Sequence, residues 1–338
     1  MAKRRFTVFC MRVIKYIGWS FAWLAALVCA IWAFGALYFD FPKAGGFAAI
    51  LFVIVLLAAV IFLPGRLLKL ATVFAAFAVV ALCWLTLKPS NDRPWQPDVA
   101  ETAWAEINDD DVTVHNVRNC DYRTDTDFTT HWETRTVRLS QITGMDVYIM
   151  YWGSPSMAHP IVSFRFADAL PLCFSVETRK TTGQEYSALR GLYRQYTLIY
   201  IVADERDSIR VRSKYRHGED AYLYRTLASP AQAHARFLEY VNATNSLRDH
   251  PRWYNALTSN CTTNIRTQRS VEQRAGWDWR MLVNGKSDEL LYEHHLIATG
   301  GLPFLELKRR SQINKRASDA DQDPDFSRLI REGLPEGK

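Results

Sequence analysis

Gly144-Met145-Asp146-Val147-Tyr148-Ile149-Met150-Tyr151-Trp152 and Ala158-His159-Pro160-Ile161-Val162-Ser163-Phe164-Arg165-Phe166 flank a small-residue turn, Gly153-Ser154-Pro155-Ser156. Both runs are short, mostly apolar, and rich in β-branched and aromatic residues, so they read as strands. Working outward, residues 112–117 and 134–139 alternate apolar and polar side chains with the period of a strand. Residues 172–178, 196–202 and 222–227 are further strand candidates. Residues 99–107 read as a short helix or an extended arm, and 185–194 as a helix or turn. Ser229-Pro230 opens a helix through Thr244, with a hydroxyl cap and proline where its missing N–H costs nothing. The expected fold class is α+β, with an antiparallel sheet of about five or six strands and helices packed against it.

Residues 1–90 differ in kind. Three apolar runs, approximately 16–38, 47–63 and 67–87, each approach the ~20 residues that cross a bilayer as a helix. Asp40, Pro42, Gly45 and Gly46 break the first pair, and Pro64-Gly65 breaks the second. The first run is too long for a signal peptide, and two further spans follow it. Lys3, Arg4, Arg5, Arg12 and Lys15 precede the first span, and Arg66 and Lys69 lie at the second turn. The positive-inside rule puts both groups in the cytoplasm. Everything after Lys88 is then expected outside the cytoplasmic (inner) membrane, in the periplasm or on the outer surface. No span holds an interior carboxylate or histidine of the kind ion pathways use, so the spans read as an anchor.

The chain carries 41 Lys/Arg and 35 Asp/Glu, a net charge of +6. Nine of those basic residues and one acid, Asp40, fall in residues 1–90, leaving 32 basic against 34 acidic residues afterwards. The basic excess thus belongs to the membrane region. It makes no folded basic face, and no nucleic-acid partner is expected. Residues 89–97 read as a proline-containing linker. Asn108-Asp109-Asp110-Asp111 lacks the alternating spacing and distal glutamate of a calcium loop and reads as a solvated turn. Beyond Lys308 the chain turns polar, and so few apolar residues are expected to leave it loose. The expected regions are therefore 1–90 in the membrane, 91–308 folded outside it, and a loose polar tail at 309–338.

Reactive chemistry points to Tyr254-Asn255-Ala256-Leu257-Thr258-Ser259-Asn260-Cys261-Thr262-Thr263-Asn264-Ile265. Ser259 and Asn260 are cap-forming residues, which puts Cys261 in the first turn of a helix. Unpaired N–H groups and the positive helix end favour a thiolate there, the nucleophilic form. An inert buried cysteine is the alternative. The other cysteines outside the membrane region are Cys120 and Cys173, either paired or simply buried, and Cys173 sits within a hydrophobic strand. A thiol nucleophile needs a base, and His159 is the best candidate because it starts a strand and can project at a sheet end. Glu177 on the next strand is the choice to orient it, unless it pairs with Arg179 instead. The Asn260 amide and the backbone N–H of Cys261 would serve the oxyanion. Asp204, Glu205, Arg206 and Asp207 read as a structural ion-pair network. None of the eight histidines has zinc-ligand spacing, and neither metal nor cofactor is expected.

The ordered motifs His159-Pro160-Ile161-Val162-Ser163-Phe164, Ser175-Val176-Glu177-Thr178-Arg179, Gly191-Leu192-Tyr193-Arg194-Gln195-Tyr196, Ala203-Asp204-Glu205-Arg206-Asp207, Tyr254-Asn255 and Asn260-Cys261-Thr262-Thr263 carry a resemblance. Together they resemble the extracytoplasmic domain of the Lnb type, named for a lipoprotein intramolecular N-acyltransferase, over roughly residues 98–304. The resemblance implies a papain-like thiol fold of the permuted NlpC type, in which histidine precedes cysteine. It implies Cys261 as nucleophile and His159 as base, acting by acyl transfer on a lipid or lipoprotein ester at the outer leaflet through a Cys261 thioester. A cell-wall peptidase or amidase with the same Cys-His dyad, or a non-enzymatic envelope module, are the alternatives.

Overall fold

The computed structural model describes residues 2–41, 44–258, 280 and 284–336. They divide into two compact units: Met1–Pro89 with Ser187–Gln195, and Ser90–Tyr186 with Tyr196–Lys338.

The first unit holds helices α1 (Ala2–Asp40), α2 (Gly45–Phe62) and α3 (Arg66–Leu85). Each is long and apolar enough to cross a membrane. Leu24, Phe47, Ile61 and Leu82 point outward and exposed, as a lipid-facing surface requires. Small residues on α1 (Ala26, Ala33, Ala36) let the helices approach, and Phe52, Leu56, Leu70, Val73 and Val80 fill the space between them. Gly65, at φ +72°, turns the chain from α2 into α3.

Segment Ser187–Gln195 packs within this unit and contains only one short turn, Arg190–Leu192. The Tyr193 ring fills the space over Gly35, where any Cβ would collide with its hydroxyl. The Arg194 guanidinium lies 3.7 Å over the Trp84 ring and donates to the Trp84 and Leu87 carbonyls at 2.6 Å each. It thereby satisfies the unpaired carbonyl end of α3. Asp40 occupies the C-terminus of α1, the helix end least favourable to an acid. Donors hold it there: Trp84 Nε1 at 2.7 Å, the Arg194 backbone N–H at 3.1 Å and the Gln195 amide at 2.6 Å.

The second unit is built on strands β1 (Trp104–Asn108), β2 (Asp111–Arg118), β5 (Trp132–Arg138), β6 (Ile142–Trp152), β7 (Ser154–Phe166), β8 (Leu172–Arg179), β9 (Thr197–Asp204) and β10 (Glu219–Arg225). A small separate ribbon pairs β3 (Asp121–Tyr122) with β4 (Phe128–Thr129). The main sheet runs β1-β2-β9-β8-β7-β6-β10, with β5 added against β2. Its neighbours are antiparallel except for one parallel bridge, Arg118↔Ala203. The sheet is thus α+β in setting, as expected, but mixed and wider than five or six strands. The extra width comes partly from the segment at 99–107, of which Trp104 onward is strand β1 and not helix.

Helix α5 (Pro230–Asp249) starts with a reciprocal capping box between Ser229 and Gln232. It covers one sheet face. Phe237 and Tyr240 pack edge-on against Phe164 and Phe174, with ring centroids 5.2–5.8 Å apart. The opposite face carries Tyr148, Met150, Ile161 and Cys173. Ile209, from helix α4 (Glu205–Arg210), covers it together with Ile313, Ala317, Phe326 and Ile330.

That covering corrects the expectation of a loose tail. Residues 313–334 present an apolar stripe that packs on the sheet. Arg331 reaches inward to Glu205 (2.5 and 2.8 Å) and Asp146 (2.9 Å), both fully buried. Average polarity hid a one-sided pattern. The acids of the 204–207 stretch are likewise structural. Asp204 caps α4 and accepts from Arg135, and Asp207 takes a forked contact from Arg118 together with the Cys120 backbone N–H.

Candidate active site

His159 lies on β7 and Glu177 on neighbouring β8, in the register that pairs Ile161 with Ser175. Strand alternation puts Ser175 and Glu177 on one face, two residues apart. The three side chains meet. His159 Nε2 is 2.7 Å from Ser175 Oγ, Ser175 Oγ is 2.6 Å from Glu177 Oε1, and His159 Nε2 is 3.2 Å from that same oxygen.

The proton positions follow from donor chemistry. An ionised carboxylate only accepts, so the Ser175 hydroxyl donates to Glu177. Its oxygen then accepts from His159 Nε2–H. In the neutral ring this leaves the lone pair on Nδ1. Ser175 is therefore a spacer that passes the carboxylate's orientation to the imidazole. It was absent from the sequence-based site, although it was legible as the same-face neighbour two residues before Glu177.

The expected competitor, an ion pair between Glu177 and Arg179, does not form. Arg179 is buried elsewhere. It donates to the Val99 and Ala100 carbonyls and to Asn91, with its guanidinium 4.4 Å over Trp95. Glu177 pairs instead with Arg212 at 2.8 Å, and Arg212 also reaches Glu219 at 3.4 Å. Burial pushes the Glu177 carboxyl up, but His159 and Arg212 outweigh it and hold the group well below the usual carboxylate range. Glu177 is thus ionised at neutral pH.

Cys261 and Asn260 lie outside the described residues. The chain leading to them is placed: the Tyr254 N–H donates to the Tyr196 carbonyl at 2.9 Å, and Trp253 bridges to Thr197 at the start of β9. The Asn255 side chain then accepts from Leu257 N–H, Thr258 N–H and the Thr258 hydroxyl, each at 3.0 Å. This is an Asx turn, built four residues before the expected cap. The other two cysteines of this unit are free and buried. Burial, assisted by Asp207, pushes the Cys120 thiol up to about 12, and burial raises Cys173 strongly as well. Neither suits nucleophilic chemistry.

Residues 128–285 match the family model of the Lnb N-terminal periplasmic domain. No curated protein and no solved structure matches the chain. The matched span holds His159, Ser175, Glu177, Arg212 and Cys261.

Proposed function

We propose that this chain is a membrane-anchored, cysteine-dependent acyltransferase acting on lipid or lipoprotein esters. The observation that carries the reading is the His159–Ser175–Glu177 arrangement, in which a carboxylate held ionised fixes an imidazole with Nδ1 as its basic nitrogen. That is the apparatus a thiol nucleophile requires. Cys261 supplies the thiol. His159 precedes it in the chain on a sheet of largely antiparallel strands, which supports a papain-like fold of the permuted type. The three apolar helices support a site held at the outer leaflet of the cytoplasmic membrane, with the N-terminus inside.

In the first half-reaction Nδ1 takes the Cys261 proton and the thiolate attacks the ester carbonyl. The tetrahedral oxyanion is met by the Cys261 backbone N–H and the Asn260 amide. Collapse breaks the ester C–O bond, the imidazolium returns its proton to the departing alkoxide, and a thioester remains. In the second half an amine attacks the thioester, loses its proton to His159, and the thiolate leaves. Water in place of the amine gives hydrolysis.

Incubation of the purified protein with membrane extract, followed by mass spectrometry of the peptide containing Cys261, is the direct test. An acyl adduct in the wild type that Cys261→Ala and His159→Ala both abolish is the expected result. Release of peptides from purified peptidoglycan with no acyl adduct would replace this reading with the peptidase one.

A further inference from the structure

The charge pattern behind Glu177 continues further than a single pair. Arg212 sits in a π-helical turn, Val211–Tyr215, that extends α4 by one widened turn. Such a turn adds a residue to the helical repeat and re-aims the side chains within it, which is why π turns recur at functional sites. Here it turns a guanidinium, 9% exposed, into the sheet, where the fork splits between two carboxylates. Arg212 Nη2 meets Glu177 at 2.8 Å and Nη1 meets Glu219 of β10 at 3.4 Å. Arg216 closes the series on Glu219 at 3.5 Å. The row therefore reads His159, Glu177, Arg212, Glu219, Arg216, with alternating charge drawn from β7, β8, the π turn and β10. Arg118 faces Arg212 from β2, but its own charge is taken up by Asp207.

We propose that Arg212 is a positioning residue of the imidazole site: clamped between Glu177 and Glu219, it pins the carboxylate that orients His159 and, with Glu219, sets the charge that the ring experiences. The proposal rests on the thiol–imidazole reading above. Its physical basis is that Glu177 Oε1 serves Ser175, His159 and Arg212 together. A carboxylate without its cation would stay ionised but be freer to turn, and its hold on the Nε2–H tautomer would loosen. A simple structural pair would have no reason to share the oxygen that faces the histidine.

The test reads the pH dependence of Cys261 alkylation by iodoacetamide in the full-length, detergent-solubilised protein, quantified on the Cys261 peptide by mass spectrometry. A thiolate–imidazolium pair gives reactivity at pH values where an ordinary thiol is silent, and the upper edge of that window reports the imidazolium. Arg212→Gln removes a cation and should move this edge up, by on the order of one pH unit. Arg212→Lys should recover most of the wild-type profile. Glu219→Gln removes an anion beyond Arg212 and should move the edge the opposite way, which keeps the proposal testable even if Arg212→Gln fails to fold. A His159-dependent wild-type window that neither Arg212→Gln nor Glu219→Gln moves overturns the positioning role alone. A wild-type profile identical to that of His159→Ala overturns the thiol–imidazole reading itself.

Discussion

Replacing Arg331 with alanine tests the packed C-terminal segment most sharply. Its guanidinium meets Glu205 at 2.5 and 2.8 Å and Asp146 at 2.9 Å. The two acids would not suffer equally. Asp146 keeps Arg165 at 3.2 Å and Arg225 at 3.9 Å. Among the described residues Glu205 keeps only hydroxyls, those of Tyr148 at 2.8 Å, Ser163 at 2.6 Å and Ser327, with no cation in contact. Leaving one buried charge uncompensated costs about 3–5 kcal/mol. For a folded unit of this size each kcal/mol is worth roughly 2–4 °C, so the melting temperature should fall by about 6–20 °C.

The pH dependence separates this account from lost packing. Burial pushes Glu205 up, but Arg331 and the hydroxyls more than offset it, and the folded value lies below the ordinary one. In the wild type the stability from this group is present above the unfolded value, near pH ~4.3, and is lost as the pH falls through the folded value. Without Arg331 burial is opposed only by the hydroxyls, the folded value rises above the unfolded one, and the penalty grows as pH increases. The deficit of Arg331→Ala should therefore be largest at neutral pH and shrink towards pH ~5. Adding Glu205→Gln should recover part of it. Thermal unfolding followed by near-UV circular dichroism reads all three quantities. A drop under about 2 °C, or a deficit equal at pH ~5 and ~7.5, would refute the reasoning.

Other expectations follow from the same geometry. Glu177→Gln replaces a pure acceptor with an amide that can donate to Ser175 and release the Nε2–H tautomer, so adduct formation should slow by on the order of 10²-fold or more; an unchanged rate would remove Glu177 from the site. With its thiol near 12, Cys120 should be alkylated far more slowly than Cys261 in the folded protein at pH ~8, and Cys173 likewise; equal labelling of all three would contradict the burial argument. Asp40→Ala strands the Trp84 indole N–H and takes one acceptor from the Gln195 amide, which keeps the Phe39 carbonyl, at a cost of about 1–3 kcal/mol to the helical unit, measurable by denaturant titration in detergent. Phe237→Ala opens a cavity among Phe164, Phe166 and Phe174 and should destabilise the sheet unit by about 3–5 kcal/mol.

What could be read from residue order alone was whatever obeys a short period. Alternation located β2 and β5, and apolar runs rich in β-branched and aromatic residues located β6 to β9, with His159 and Glu177 on adjacent strands. The three membrane-length helices announced themselves by composition. Arg212 offered no such signal. It sits where the helical repeat gains a residue, so its direction follows neither helical nor strand parity, and in sequence a buried arginine looks like a solvated one. The C-terminal segment failed for a related reason. Its buried Ile313, Ala317, Phe326 and Ile330 are spaced four to nine residues apart among charges, and Arg331 finds its partners on β6 and α4, more than a hundred residues away. Composition judges a segment by its average, whereas burial is decided by one side of it. A guanidinium that completes a distant charge cluster contributes to the core while counting, on any polarity scale, as surface.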